Sequence, residues 1–157
     1  MKTTLLVVGK TNEQYFVRAI DEYVQRIKHY TSFDVEVIPE LKNTKNLTEQ
    51  QQKEKEGELI MKSLSTNDFV VLLDEHGKEM RSVEFADWMR GKMNTIGKRL
   101  VFVIGGPYGF SEEVYKRTDA KMSLSKMTFS HQMVRLIFVE QLYRALSILA
   151  GSPYHHE

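Results

Sequence analysis

The sequence predicts an α/β fold, a mostly parallel sheet with helices on both faces, in a single domain over residues 1–157. Three observations carry that reading. Two unbroken apolar runs, Phe69-Val70-Val71-Leu72-Leu73 and Leu100-Val101-Phe102-Val103-Ile104, have the character of strands buried on both faces. Segments with apolar residues at three- and four-residue steps alternate with the strand-like runs, as βαβ units require. Glycines or polar clusters close the runs, at the strand ends where open α/β sheets hold their ligands.

The first strand is expected over Thr3–Val8, closed by Gly9-Lys10. A helix over Glu13–Tyr30 follows from Phe16, Ala19, Ile20, Tyr23, Val24, Ile27 and Tyr30 on one stripe. Phe33, Val35 and Val37 alternate with Asp34 and Glu36, as in a half-exposed strand. The polar segment 39–47 reads as a surface loop. Thr48-Glu49-Gln50-Gln51 has the form of a capping box, opening a helix to about Leu64. Its run Lys53-Glu54-Lys55-Glu56 reads as a solvated face, with Leu59, Ile60 and Leu64 inward. The strand Phe69–Asp74 is expected to end in a polar loop, 74–78, where Asp74 either meets a ligand hydroxyl or caps a turn. Ser82 is the expected cap of a helix to about Met93, with Phe85, Trp88 and Met89 inward.

The strand at Leu100–Ile104 is followed by Gly105-Gly106-Pro107-Tyr108-Gly109, either a tight turn or a place where backbone approaches a ligand closely. Ser111 caps a short helix, Lys121–Leu124 forms a short strand, and 125–131 is a loop of small hydroxyl residues. A last helix runs from about Gln132 to Leu149, stopped by Gly151 and Pro153. It is apolar nearly all round, so it must be covered on more than one side. The sheet covers one side, and a second subunit is expected on the other.

Composition narrows the chemistry. The chain has 41% hydrophobic and 27% charged residues, no cysteine and a formal net charge of +1. There are thus no disulfides, thiolate metal sites or cysteine nucleophiles, which fits a cytoplasmic protein. No apolar run approaches the roughly 20 residues of a membrane span. Near-neutral charge excludes nucleic-acid binding by bulk electrostatics and leaves a local patch, or two joined patches. The five histidines show no metal-site spacing, and GxxxxGK[ST], GxGxxG and GxSxG are all absent. What remains is a site at three strand ends, Leu73-Asp74, Gly105-Gly106-Pro107 and Leu124–Phe129. Its backbone amides and carbonyls could frame an adenine-sized ligand, with Leu73, Met127 and Phe129 as apolar walls or as ordinary core.

An ordered set of motifs then goes beyond class. Ile104-Gly105-Gly106-Pro107-Tyr108-Gly109, Leu124-Ser125-Lys126-Met127-Thr128-Phe129-Ser130-His131, Val134-Arg135, Glu140-Gln141-Leu142-Tyr143-Arg144-Ala145 and Pro153-Tyr154-His155 occur in that order. Together with Val8-Gly9-Lys10 and Lys55-Glu56-Gly57, they closely resemble the bacterial ribosomal RNA large subunit methyltransferase H family, of the SPOUT class, from end to end. The resemblance implies a C-terminal trefoil knot, with knot and cofactor site within about 70–157. It also implies a homodimer that uses S-adenosylmethionine to methylate N3 of a pseudouridine in 23S rRNA, in the decoding-side helix of the assembled ribosome. By its pattern the cofactor contacts fall on Leu73, Gly105, Gly106, Leu124, Ser125, Lys126, Met127, Thr128 and Phe129. Arg135, Tyr154 and His155 match positions on the RNA side, and His131, Arg135 and His155 are the expected catalytic groups. The tail departs from the pattern at His156, where many relatives are expected to carry arginine.

Methyl transfer from a sulfonium requires an aligned nucleophile and a dry pocket more than a strong acid. The N3 proton must still leave, so His131 or His155 is the expected acceptor and Arg135 the group that steadies the anionic base. Tyr154 could stack on a base. Two readings from other classes remain at this stage: a nucleotide-binding module without chemistry, and a ribosome-associated dimer with a vestigial pocket.

Overall fold

The computed structural model describes residues 1–156, which form one five-stranded sheet with five α-helices. The strands are β1 (Lys2–Val8), β2 (Phe33–Ile38), β3 (Asp68–Glu79), β4 (Arg99–Ile104) and β5 (Ala120–Ser123). All pairings are parallel and the order is β2-β1-β4-β3-β5, so the apolar run at 100–104 is the middle strand. Its side chains alternate between two cores. Leu100, Phe102 and Ile104 face one layer of helices, and Val101 and Val103 face the other. This double burial is why β4 reads as continuous rather than alternating hydrophobicity.

The layer on the first face is α1 (Gln14–Lys28), α3 (Ser82–Thr95) and α5 (His131–Leu149); α2 (Glu49–Ser63) and α4 (Glu112–Arg117) cover the second. Phe102 is fully buried, 4.7 Å from the Phe138 ring and 6.2 Å from Phe85, which joins α5 and α3 to the middle strand. α5 lies between α1 and α3 on the sheet, so both its flanks are covered by its own chain. The expectation that a second subunit is needed to cover this helix is thereby reduced to the half-buried strip of Leu136, Ile137, Tyr143 and Ile148.

Several local expectations are corrected. Ser82 is not the cap of α3: Arg81 holds that position, and Ser82 Oγ instead donates to Gln141 Oε1 on α5 at 2.8 Å. The 74–78 loop lies within β3, whose register against β5 shifts between Leu73 and Lys78, so that the intervening residues bulge outward. Gly77 allows this, because a Cβ there would be 2.7 Å from the backbone of Lys121 and Met122. The 39–47 loop contains a short 3-10 turn, Thr44–Asn46. Glu56, read as solvated, is 4% exposed on the inner side of α2. The capping box at Thr48 and Gln51 and the Ser111 cap of α4 form as expected, and Ser130, read as part of a loop, caps α5.

The two edges of the sheet differ. At the amino edge, Arg99 donates to Asp68 at 2.6 Å and to the Ser63 carbonyl at 2.8 Å. Arg117 Nη2 donates to the carbonyls of Ser65 and Asp68, each at 2.9 Å. Burial raises the Asp68 carboxyl, but the bonds from Arg99 and the Ser65 amide outweigh it and hold the group below its ordinary value. This edge is closed by charge. The carboxyl edge is open, and there β3, β4 and β5 end side by side.

Candidate functional site

Three segments meet at that open edge and enclose a cleft of about 950 Å³. Leu73 and the bulge of β3 form one wall. Gly105 to Phe110, leaving β4, form the floor, and the loop after β5 with the start of α5 closes the third side. The glycine turn is built by local chemistry. Gly109 donates its N–H to the Gly106 carbonyl at 3.2 Å and takes φ +82°, a left-handed geometry that favours glycine. Gly105 and Gly106 are small for another reason, since their missing Cβ atoms point into the protein. A Cβ on Gly105 would lie 2.9 Å from the Phe110 ring, and one on Gly106 2.6 Å from Glu56 Oε2. Their backbone faces the cleft because side chains of α2 and the turn occupy the other side.

The loop after β5 is held by its own hydroxyls. Ser123 Oγ donates to the Ser125 carbonyl at 2.9 Å, and Ser125 Oγ accepts the Met127 N–H at 2.9 Å. Met127 is thereby presented at 77% exposure, which rules out core packing and leaves it as cleft wall. Leu124, Ser125, Thr128 and Phe129 also line the cleft. Lys126 is exposed and lies outside the lining, the one expected cofactor contact that the cleft does not include.

The expected catalytic and RNA-side residues separate. His131, first in α5, lines the cleft, and partial desolvation followed by the Arg135 charge holds its ring below the ordinary 6.5. Arg135 is 3% exposed and outside the lining. It donates to the Val8 carbonyl at 2.8 Å and to Thr11 Oγ1 at 3.1 Å, fastening the β1–α1 loop to α5. Gln132 reinforces this by accepting the Asn12 N–H at 2.8 Å. In its own chain Arg135 is thus a structural tie rather than a group at the cleft.

Tyr154 and His155 are also outside the lining. Tyr154 packs on Tyr143 with ring centroids 4.8 Å apart and donates to Glu140 at 3.2 Å. Burial and the hydrogen bond with Tyr23 push its phenol well above the ordinary range. His155 Nδ1 lies 3.1 Å from Arg144 Nη1. A guanidinium can only donate, so Nδ1 accepts and a neutral ring carries its proton on Nε2, which is buried without a partner. In its own chain His155 is thus held by Arg144 and lies outside the cleft.

Sequence reasoning missed the second wall. Thr48, Glu49, Gln50 and Lys53, at the start of α2, face the cleft, which therefore draws on residues outside 70–157. The capping box marked where α2 begins, but not where it points. Tyr115 was also missed; its hydroxyl donates to Asp74 at 2.7 Å, and burial with that bond raises the phenol far above its usual value. Asp74 also accepts the His76 N–H at 3.1 Å, so both of its oxygens are engaged in shaping the bulge. Among the described residues, no cluster of His, Cys, Asp or Glu could hold a metal ion, and no helix is long and apolar enough to cross a membrane.

A parallel α/β domain with a glycine-floored cleft of mixed apolar and polar lining at its carboxyl edge defines a class of α/β proteins whose ligands sit at strand ends. Comparison with known proteins makes this specific. The family described as "Predicted SPOUT methyltransferase" matches residues 1–155. The chain is 71% identical to "Ribosomal RNA large subunit methyltransferase H" of Bacteroides thetaiotaomicron over 157 residues, covering 100% of both chains. It is 60% identical to the protein of the same name from Christiangramia forsetii, covering 99% of both, and 56% identical to that of Flavobacterium johnsoniae, covering 100% of both. The chain belongs to the SPOUT methyltransferases, and within them to the ribosomal RNA large subunit methyltransferase H family.

Proposed function

We propose that this protein transfers a methyl group from S-adenosylmethionine to N3 of a pseudouridine in 23S rRNA, acting in the cytoplasm as a homodimer on the assembled ribosome. The observation that carries the reading is the cleft of about 950 Å³ where β3, β4 and β5 end, in a chain of this family. The lining fits the cofactor. Leu73, Met127 and Phe129 offer apolar surface for a flat ring, and the Gly105–Gly106 backbone offers amide and carbonyl groups for its polar edge. Those residues, with Leu124, Ser125 and Thr128, would hold it. When bound, the cofactor supplies an electrophilic methyl group on a sulfonium sulfur.

The remaining chemistry belongs to the chain and the base. His131 is the proton acceptor for N3, because it lines the cleft and its lowered pKa leaves an imidazole lone pair free at neutral pH. Alignment of the methyl donor with the base would do most of the work. Tyr154 and His155 serve the RNA from the opposite subunit: outside the cleft of their own chain, they complete the site across a dimer formed on the half-buried strip of α5. The C-terminal segment is threaded as the trefoil knot of the family. Support comes from β5 beside β3, the following loop against the Gly105–Phe110 turn, and the return of α5 to α1.

The test is transfer of labelled methyl from S-adenosylmethionine to ribosomes lacking the modification, with free 23S rRNA as the comparison. Label in the large-subunit RNA of ribosomes, with little in free RNA, is the expected result. No label on either substrate from folded protein refutes the reading.

A further inference from the structure

Lys55-Glu56-Gly57 belongs to the family-like sequence, yet neither cofactor contact nor RNA contact accounts for it. Lys55 is exposed, whereas Glu56 is 4% exposed and Gly57 is buried. A carboxylate removed from water is tolerated only where donors satisfy it. Here the donors are the Gln52 side chain and the backbone N–H of Gly106. The seat is reciprocal. Glu56 fills the space where a Gly106 Cβ would stand, 2.6 Å from Oε2 and 2.7 Å from Cδ. Ser111 fills the space at Gly57, where a Cβ would lie 3.0 Å from Ser111 Cβ and 3.4 Å from Val114 Cγ2. One glycine on each side lets α2 close on the segment that forms the cleft floor.

The consequence follows from peptide geometry. In a trans peptide the N–H of one residue and the C=O of the residue before it point in opposite directions within one plane. Holding the Gly106 N–H toward α2 therefore turns the Gly105 carbonyl away from α2, while the Gly106 carbonyl is separately held by the Gly109 N–H at 3.2 Å. From this geometry we infer that Glu56 is a positioning residue that fixes the Gly105–Gly106 peptide plane, and so presents the Gly105 carbonyl as a preset acceptor for the bound cofactor. This rests on the methyl-donor reading for its ligand, but the clamp itself is a property of the chain. Burial, and to a lesser degree Glu40, raises the Glu56 carboxyl, and the Gln52 and Gly106 donors oppose that rise.

The experiment compares wild type, Glu56→Ala and Glu56→Gln by two readouts: amide exchange at Gly106 by NMR, and S-adenosylmethionine affinity by calorimetry. Alanine removes the carboxylate from the Gly106 N–H and leaves it only the weak pairing across the turn to Gly109, so its exchange quickens by about tenfold, and cofactor affinity falls about tenfold. Glutamine offers an amide oxygen to the same N–H and returns both readouts to within about threefold of wild type. Unchanged exchange and affinity in Glu56→Ala overturn the proposal. So does a glutamine variant as impaired as alanine, or unfolding of both variants, which makes Glu56 a packing residue only. If wild type binds no S-adenosylmethionine, the methyl-donor reading fails, and the exchange comparison alone decides whether the clamp exists.

Discussion

His131 carries the sharpest prediction at the scale of single residues. Its ring lines the cleft, sits at a helix N-terminus and feels Arg135, all of which disfavour the imidazolium. If His131 is the proposed acceptor of the N3 proton, the neutral ring is its working form, so activity should be full above its pKa and fall as pH drops through it. Because that pKa lies below 6.5, the acid limb of the rate profile should have its midpoint below 6.5. His131→Asn should remove the limb and slow turnover by about 100-fold, the usual order for a lost general base. A pH–rate profile of both proteins checks this, and an identical acid limb in the variant would reassign the base. Arg135 shows how a residue's place in the sequence can mislead. It stands one helical turn after His131, yet its side chain is committed to Val8 and Thr11.

At the scale of elements, the glycines separate into kinds that residue type alone does not distinguish. Gly151 takes φ +73° just past the end of α5, with open space where a Cβ would stand. Gly151→Ala should therefore cost about 1 kcal/mol through backbone strain alone. Gly91 lies inside α3, also in open space but with φ outside the left-handed range. Gly91→Ala should stabilise the protein by about 0.5–1 kcal/mol. Urea unfolding of the two variants checks both signs. The strands and helices were legible in the sequence because their period and caps are local: β4 as an apolar run, α2 from Thr48 and Gln51, α5 from its apolar stretch and the stop at Gly151 and Pro153. The β3 bulge was not, since it depends on Gly77 meeting the backbone of β5. Nor was the burial of Glu56, whose charged neighbours give a solvated pattern while its partner lies 50 residues away in Gly106. The cleft floor and the 124–129 loop were legible from strand ends; the α2 wall depended on tertiary placement.

At the scale of the whole molecule, one chain divides the expected machinery between two places. The cleft holds His131 and the residues assigned to the cofactor, while Tyr154 and His155 are docked on α1 and α5 through Tyr23, Glu140 and Arg144. A net charge of +1 gives a single copy little general hold on RNA. Both facts favour a site completed by a second subunit, whose tail meets the first subunit's cleft. This can be tested with two defective chains. Gly106→Val should disable the cleft, because the new side chain collides with Glu56, and it leaves the tail intact. A chain carrying Tyr154→Ala and His155→Ala has an intact cleft and a disabled tail. Each homodimer should be inactive. In the mixed dimer, a tail acting across the interface restores one working site of two, and so about half the activity of the wild-type dimer. A tail acting within its own chain restores none, because neither subunit then has both parts. Methyl transfer by purified mixed dimers, each chain carrying a different affinity tag, distinguishes these outcomes. Activity at the level of the defective homodimers would place the tail's work in its own subunit and remove the reason for a composite site.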